Sequence, residues 1–379
     1  MNRLVIIGNG FDMAHGLKTS YTDFINWYWD QRIAAFSGNL TNISEDCLCK
    51  LKIKDETLFS CWNVFAYSNS NFFKDIFRQS KYTGSEVIQY IKENSNLFSV
   101  EYSPFFRTIL QSIESKGWVD IENDYYQLLK NKVNNSNCDY SIDDLNEQLD
   151  FLREKLVEYL HTIKIDHLRS DLQDAIIDSF DPADFSTESK MKALDNIGID
   201  VSFCTSGVIS HSLRNKLIPE RIMLLSFNYT DTPQLYQNFN IVHNYIHGKL
   251  DNPESIIFGY GDELDKTYQH ILDMNDNRLL KNIKSFKYLV ARHYRDLLEF
   301  IGTAPFQVFI MGHSCGNSDR TLLNTVLSMI IVFSIKPFYH QRGDGSDNYY
   351  ELIQNISRNF TNMKLFRDRI VSKEQCKTM

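Results

Sequence analysis

Leu4-Val5-Ile6-Ile7-Gly8-Asn9-Gly10-Phe11-Asp12 is the stretch that decides the fold: an apolar run ends in a glycine-rich turn, and a helical pattern follows. A buried strand that ends in such a turn is typical of nucleotide pockets in α/β folds, because free backbone N–H groups and the helix dipole face the ligand there. A dinucleotide fingerprint would have a third small residue where Met13 stands, and a carboxylate at Asp12 would repel a diphosphate. We therefore expect Asp12 to hold ribose hydroxyls or to cap the helix.

The composition predicts a folded protein with a full core. Its 379 residues, 43% of them hydrophobic, suffice for one large or two medium domains. The net charge of −8 and the dispersed lysines and arginines disfavour nucleic acids and anionic membranes as partners. No segment has the length of a signal peptide or of a membrane span, so we expect a cytoplasmic protein. The seven cysteines form no regular framework, which favours reduced thiols and predicts no metal site.

Strand-like runs occur at the beginning of the chain and again mainly in its last third. They cover residues 3–7, 221–227, 241–246, 255–258, 306–311 and 329–339. Helical patterns lie between them, and a clear one is at residues 285–301, where apolar side chains recur every three or four positions. This alternation predicts an α/β fold with a mostly parallel sheet covered by helices.

Residues 25–204 have a different character, because they are rich in Asn, Ser, Phe and Tyr. Their clearest element is a helix over residues 141–164, which Ser141 would cap. The strand at the beginning of the chain needs the later strands as partners. We therefore predict an α/β domain of residues 1–24 plus 205–379, interrupted by a long, mainly helical insertion of residues 25–204. A separate N-terminal helical domain is the alternative.

Three later strand ends also carry polar residues and glycines. They are Asn228-Tyr229-Thr230-Asp231, His247-Gly248 and Gly312-His313-Ser314-Cys315-Gly316-Asn317-Ser318-Asp319. Because the carboxyl ends of parallel strands lie along one edge of a sheet, we expect these residues to meet the first turn at one crevice. Each motif also has a purely structural interpretation as a turn former, a loop closure or a helix N-cap. Their joint occurrence favours a ligand site.

Together these motifs resemble the bacterial abortive-infection AbiH family of phage-defence proteins. The similarity rests on residues 4–12, 226–230, 246–248 and 311–319, and residues 118–122 are a further element of it. The order and the context of the motifs match over nearly the whole chain. The resemblance implies a function in phage defence.

The same motifs are similar to sirtuin-like NAD-binding domains, which implies a Rossmann-like sheet with NAD as the substrate. The cofactor-binding residues implied by this resemblance are Gly8, Asn9, Gly10, Phe11, Asp12, Thr230, Asp231, Gly312, His313, Ser314 and Asp319. It also implies that Asn228 lies at the nicotinamide ribose and that His247 is the general base. Protein-deacylating sirtuins carry Cys-x-x-Cys zinc elements. This sequence has no such element, which favours a hydrolase that uses water.

The resemblance therefore predicts an NAD+ glycohydrolase that releases nicotinamide and ADP-ribose. His247 would withdraw a proton from water or from a ribose hydroxyl, and Asn228 would orient either group. One alternative is a non-catalytic nucleotide or ADP-ribose sensor, or an effector that acts on nucleic acid. Another is a serine hydrolase in which the Gly312–Gly316 turn is a nucleophile elbow for Ser314. The expected partners are a small-molecule nucleotide and a phage trigger, and self-assembly into a homo-oligomer is left open.

Overall fold

The computed structural model describes residues 1–38, 42–54, 82–116, 120–135, 137–199 and 216–379. These residues form two compact units. The first unit consists of Met1–Lys18, Ile163–Met274 and Asn282–Met379, and the second of Thr19–Thr162 and Asn275–Lys281. The predicted end of the insertion, at residue 204, lies outside the described residues. Residues 163–199, which precede it, belong to the first unit.

The described chain contains both strands and helices. The strands are β1 (Asn2–Ile7), β2 (Ile43–Glu45), β3 (Cys49–Ile53), β4 (Phe98–Tyr102), β5 (Ile222–Ser226), β6 (Ile241–Tyr245), β7 (Phe306–Met311) and β8 (Val332–Phe338). The α-helices are α1 (Asn9–Ala14), α2 (Tyr21–Gly38), α3 (Gly84–Glu93), α4 (Pro104–Lys116), α5 (Ile121–Asn134), α6 (Ile142–Leu160), α7 (Ser170–Ile177), α8 (Thr187–Asn196), α9 (Lys266–Asp273), α10 (Asn277–Leu280), α11 (Lys284–Lys287), α12 (His293–Thr303), α13 (Arg320–Leu327), α14 (Tyr349–Arg358) and α15 (Met363–Arg369). None of the helices in the described ranges combines the length and the apolar character that a membrane span needs.

The first unit is built around a five-stranded parallel sheet with the strand order β6-β5-β1-β7-β8. β1 lies at its centre, where Ile7 is aligned with Ser226 of β5 on one side and with Met311 of β7 on the other. The chain adds two strands on one side of β1 and then two on the other, which is the order of a Rossmann-like sheet. In such sheets ligands bind at the carboxyl ends of the strands, where the order reverses. The α/β fold predicted from the sequence is confirmed.

Both faces of this sheet are covered, which explains why its strands are continuous apolar runs rather than alternating patterns. Leu4 and Ile6 of β1 contribute to a core on one face. Val5 and Ile7 contribute to the core on the other face, together with Phe11 of α1. Full burial of an aliphatic side chain contributes about 1.5–3 kcal/mol, so the central strand is a major source of the stability of the unit.

A buried polar network ties residues 163–199 to the sheet. The guanidinium of Arg3, on β1, donates hydrogen bonds to the carbonyl oxygen of Ile176 (2.8 Å) and to the side chain of Gln307 on β7 (3.1 Å). Gln307 donates in turn to Asp184 (3.1 Å), which also accepts a hydrogen bond from the ammonium of Lys336 on β8 (2.8 Å). Because these groups are buried, each depends on its partner, and the network explains why this segment belongs to the first unit.

The second unit combines helices with a small antiparallel sheet of the order β2-β3-β4. The helix predicted at residues 141–164 is confirmed as α6, although it ends earlier, at Leu160. A capping box joins Ser141 to Asp144 at its N-terminus. The expectation of a mainly helical insertion overlooked the sheet, whose strands are only three to five residues long. Trp118, in the predicted family element, lies outside the described residues. Asp120 of the same element caps α5.

Two predictions from periodicity are wrong. Residues 255–258 form no strand. Their apolar side chains are buried, but their backbone does not pair with a neighbouring strand, and the N–H of Ile257 donates to the carbonyl oxygen of His247 in the loop after β6. Residues 285–301 form two helices, α11 and α12, rather than one. Leu289 and Val290, between them, are exposed, so the apolar period does not continue through one buried face.

Candidate functional site

The candidate site lies where β1, β5, β6 and β7 end, within the first unit. Asn228, after β5, donates its side-chain N–H to the carbonyl oxygen of Gly8, after β1 (3.0 Å). The imidazole of His247, after β6, has its Nε2 atom 3.3 Å from Oδ1 of Asp319, after β7. The parallel sheet thus brings these strand ends to one edge, as its topology requires.

The turns after β1 and β7 pack backbone against backbone. Gly10 donates its N–H to the carbonyl oxygen of Gly312 (2.8 Å). Gly312 has a φ of +72°, and a Cβ atom there would overlap the backbone nitrogen of Phe11. A Cβ atom on Gly8 would lie 2.5 Å from the Cα atom of His313. These glycines are therefore required by the contact between the two turns, independently of any ligand.

In these turns, backbone N–H groups that a phosphate cradle would need already donate hydrogen bonds within the protein. The N–H groups of Gly8, Gly10 and Phe11 donate to carbonyl oxygens within the turns and at the end of β7. The side chain of Phe11 lies in the core, and α1 has only six residues. A ligand at the first turn therefore meets side chains, the exposed Asn9 and the buried Asp12, rather than a row of free N–H groups.

Asp12 is almost completely buried, with 1% of its surface exposed. Its Oδ2 atom accepts a hydrogen bond from the hydroxyl of Thr230 (2.6 Å), and its Oδ1 atom has no hydrogen-bond partner among the described residues. Burial raises the pKa of Asp12 to about 6, although the hydrogen bond from Thr230 opposes this rise. The N-cap of α1 is Gly8, so Asp12 does not cap this helix. Its Oδ1 atom is therefore a buried acceptor without a donor among the described residues.

Asn228 and Asp231 are engaged by protein groups. The side-chain N–H of Asn228 is bound to Gly8, and its backbone N–H donates to the hydroxyl of Ser226 (3.2 Å). Asp231 forms an ion pair with Lys249 (3.3 Å). Asn228 therefore joins the end of β5 to the end of β1, which suits a positioning role.

His247 belongs to a buried cluster that also holds Asp319 and two residues of the segment at α11. Its Nε2 atom lies 3.3 Å from Oδ1 of Asp319 and 3.1 Å from the hydroxyl of Tyr288. The ammonium of Lys284 donates to the same Oδ1 atom (2.7 Å). The ring of Phe227 packs edge to face against His247, with 5.0 Å between the ring centroids. The polar side chains of this cluster are therefore paired with each other, and apolar side chains surround them.

Burial and the charge of Lys284 lower the pKa of His247 to about 4, and Asp319 opposes this change. Burial alone would raise the pKa of Asp319, but the charge of Lys284 and the hydrogen bond from His247 hold it well below its usual value. At neutral pH the cluster thus contains a neutral imidazole beside an ionised carboxylate whose counterion is the lysine.

His313 supports the turn after β7. Its Nδ1 atom accepts a hydrogen bond from the backbone N–H of Cys315 (2.9 Å), which puts the proton of the neutral ring on Nε2. Nε2 faces Oδ2 of Asp319 at 3.6 Å. The ring packs against Phe227, with 4.3 Å between the centroids. His313 therefore shapes the environment of Asp319 rather than standing free for acid–base chemistry.

Among the described residues, the surroundings of Ser314 give little support to a serine hydrolase. Ser314 is exposed, and the residue with a left-handed φ is Cys315 (54°), whose buried thiol has a raised pKa. A triad in chain order would need an acid and then a histidine after the serine. Asp319 is bound to Lys284, and His340 is exposed with its backbone N–H bound to Asn348.

Sequence reasoning missed Lys284 and Tyr288, because residues 285–301 read as one amphipathic helix and Lys284 precedes it. A buried lysine has no signature in a single sequence, since its burial depends on a carboxylate from another element, here Asp319. Across the described ranges, no group of three or more His, Cys, Asp or Glu side chains is arranged to hold a metal ion.

Residues 4–339 match the family model described as Bacteriophage abortive infection AbiH. The chain belongs to the AbiH family. The matched range begins in β1 and ends just after β8, so it includes all five strands of the parallel sheet and every residue of the candidate site. The family resemblance drawn from the motifs is confirmed, and with it a role in abortive-infection defence against phage. No curated protein matches the chain.

We expect Gly312→Ala to destabilise this AbiH chain by at least about 1–2 kcal/mol, because alanine is strained at positive φ and its Cβ would overlap α1. Gly302→Ala is the matched control. Gly302 lies in α12 with open space around it, so alanine there should be neutral or stabilising by up to about 1 kcal/mol. The measurement is chemical or thermal unfolding. Equal stability of the two variants would contradict the backbone contact.

The raised pKa of Asp12 predicts a pH-dependent gain in stability for Asp12→Asn. The folded protein holds the Asp12 proton up to about pH 6, so wild type loses stability as pH rises through that value. Asparagine cannot ionise, and the variant should gain up to about 3 kcal/mol at about pH 8 but little at about pH 4.

Asp171→Asn is the control of opposite sign, because Arg169 lowers the pKa of Asp171 and the ionised carboxylate stabilises the fold. The folded-state pKa of Asp171 lies below 3.8, so its stabilising effect is already present at about pH 4. This variant should therefore be less stable than wild type by a similar amount at both pH values, whereas Asp12→Asn gains stability only at the higher one. Unfolding curves at both pH values would test the pair. An Asp12→Asn variant with no gain at the higher pH would show that its carboxylate is not destabilised by burial.

Proposed function

We propose that this AbiH-family protein acts against phage as an NAD+ glycohydrolase. In the reaction, water adds to the anomeric carbon of the nicotinamide ribose, the N-glycosidic bond breaks, and nicotinamide and ADP-ribose are released. The observation that carries the proposal is the neutral, buried His247 held against Asp319 at the carboxyl edge of a Rossmann-like sheet. The similarity of the motifs to sirtuin-like domains supports the same choice of substrate.

His247 suits the part of a proton acceptor in this reaction. A carboxylate oxygen 3.3 Å from Nε2 favours the tautomer with its proton on Nε2, which leaves the lone pair on Nδ1. The departing nicotinamide needs no acid, because it leaves the positively charged substrate as a neutral molecule. The reaction needs a base that takes a proton from water, and the imidazolium so formed would be stabilised by Asp319. Such base catalysis contributes roughly 10²- to 10⁴-fold.

Asp12 and Thr230 suit the recognition of ribose. The Oδ1 atom of Asp12 is a buried acceptor without a partner among the described residues, and a ribose hydroxyl would supply the missing donor. The hydroxyl of Thr230 holds the other oxygen of the carboxylate in place. Asn228 contributes indirectly, because its amide is bound to Gly8 and fixes the turn that carries Asp12.

The diphosphate of NAD+ would have to find donors other than the N–H groups of the first turn. Asn9 and Ser314 have exposed side chains on the two turns that flank the reversal of the strand order. Their amide and hydroxyl groups are neutral donors that can approach a diphosphate. We therefore propose that these two residues contact the diphosphate and the adenosine of NAD+.

A second candidate function is a nucleotide or ADP-ribose sensor that binds without turnover. One observation favours it: a pKa of about 4 makes His247 a weak base, with less driving force for proton abstraction than a histidine near neutrality. The contacts that would recognise ribose are the same in both functions. Product release distinguishes them.

The test incubates the purified protein with NAD+, in the absence and presence of phage lysate, and measures nicotinamide and ADP-ribose over time. His247→Ala should lower the rate by roughly 10²-fold or more. His243→Ala is the matched control, because His243 lies on β6 and its Nε2 atom is bound to the carbonyl oxygens of Pro233 and Tyr236. This variant should keep most of the activity.

Equal rates for wild type and His247→Ala would refute the proposed role of His247. Tight NAD+ binding by calorimetry with no release of nicotinamide, even with phage lysate, would favour the sensor. Thermal unfolding of each variant separates loss of activity from loss of folding.

A further inference from the structure

Lys284 is a fully buried lysine in the candidate site, with 0% of its surface exposed. Its ammonium lies 2.7 Å from Oδ1 of Asp319, which is itself 8% exposed. A buried ammonium is costly unless a carboxylate compensates its charge, so the two side chains require each other. Asp319 ends the motif after β7, but Lys284 does not belong to any motif recognised in the sequence.

The carboxylate of Asp319 is shared between this lysine and His247. Both the ammonium of Lys284 and Nε2 of His247 approach the same atom, Oδ1, at 2.7 Å and 3.3 Å. With the lysine present, the cluster of these three side chains is neutral when the imidazole is neutral. A proton on His247 would leave one net positive charge in a buried place, which is unfavourable.

The other polar groups that face this cluster do not replace the lysine. His313 has its Nε2 atom 3.6 Å from Oδ2 of Asp319, and the hydroxyl of Tyr288 lies 3.1 Å from His247. The thiol of Cys315 is buried, and its raised pKa keeps it neutral. Lys284 is thus the permanent cation that pairs with Asp319 at this point.

The backbone around Lys284 is fixed by hydrogen bonds to a neighbouring loop. The N–H of Lys284 donates to the carbonyl oxygen of Tyr260 (2.8 Å), and the N–H of Tyr260 donates to the carbonyl oxygen of Asn282 (3.0 Å). Lys284 begins α11 and Tyr288 directly follows it, so one short segment delivers both groups to the cluster around His247. The lysine is therefore held in one place rather than carried on a mobile loop.

We infer that Lys284 is a positioning residue: it neutralises Asp319 and thereby keeps His247 as a neutral proton acceptor whose Nε2 atom is held by the carboxylate. The chemical use of that acceptor rests on the proposed glycohydrolase function. The protonation state itself does not, because it can be measured without substrate.

The experiment is an NMR titration of the histidine rings in the full-length protein, with the His247 signals assigned by their loss in His247→Ala. In wild type, His247 should take up a proton only near pH 4, well below the usual value of 6.5. In Lys284→Met, Asp319 loses its permanent cation, and the protonated ring of His247 can compensate its charge. The pKa of His247 should then rise to its usual value or above, a gain of at least about 100-fold in proton affinity.

Lys336→Met is the matched control. Lys336 forms a buried ion pair with Asp184 (2.8 Å) in the same unit, so its loss removes the same kind of interaction, but it does not belong to the cluster around His247. The His247 titration in this variant should match that of wild type. If Lys284→Met does not fold, Lys284→Gln keeps a hydrogen-bond donor without the charge, and the same rise is expected.

A His247 titration that stays near the wild-type value in a folded Lys284 variant would overturn the inference. The same rise in the pKa of His247 in Lys336→Met would also overturn it, because the rise would then result from looser packing of the whole unit. If NAD+ proves not to be hydrolysed, the titration still decides the role of Lys284. If it is hydrolysed, the acid limb of kcat/KM should move to higher pH in Lys284→Met.

Discussion

The backbone contact between the turns after β1 and β7 is the constraint on which the candidate site depends. Because these strands are parallel neighbours, their turns leave the sheet side by side. The backbones of Gly10 and Gly312 are in contact there, and a side chain at either position would clash with the other turn. The contact fixes the start of α1, and with it the position of Asp12. It equally fixes the turn that leads to Asp319. One contact between glycines thus positions both acidic groups of the site.

Burial shifts the pKa values of Asp12 and His247 in opposite directions, but it favours the neutral form of each side chain. It raises the pKa of Asp12 to about 6 and lowers that of His247 to about 4. Asp319 is as deeply buried and yet stays charged, because Lys284 compensates it at 2.7 Å. The site therefore contains one compensated charge pair and two groups whose neutral forms burial favours. Above about pH 6, Asp12 becomes a buried charge without a cation, which is the source of its predicted cost in stability.

The five-stranded sheet and the polar residues at its strand ends could be predicted from the sequence, since both follow from local patterns. Apolar runs next to polar, glycine-containing turns mark buried parallel strands whatever surrounds them, and β1 is the clearest case. At residues 255–258, apolar content alone led to a wrong prediction of a strand, because burial does not require strand pairing. Lys284 could not be predicted, because its partner Asp319 is 35 residues away in sequence and reaches it only through the fold.

The donors already used within the protein narrow the kinds of ligand that suit this site. The N–H groups of Gly8 and Gly10 are bound to the protein, so a phosphate would find little there to balance its charge, and Asp12 and Asp319 lie at the adjoining strand ends. The Oδ1 atom of Asp12, by contrast, lacks a donor among the described residues. In the proposed function a ribose hydroxyl would satisfy that acceptor, whereas a nucleic-acid backbone would add negative charge to a chain that already carries −8. The unused acceptor and the net charge therefore support the proposal of a small nucleotide rather than a polyanion.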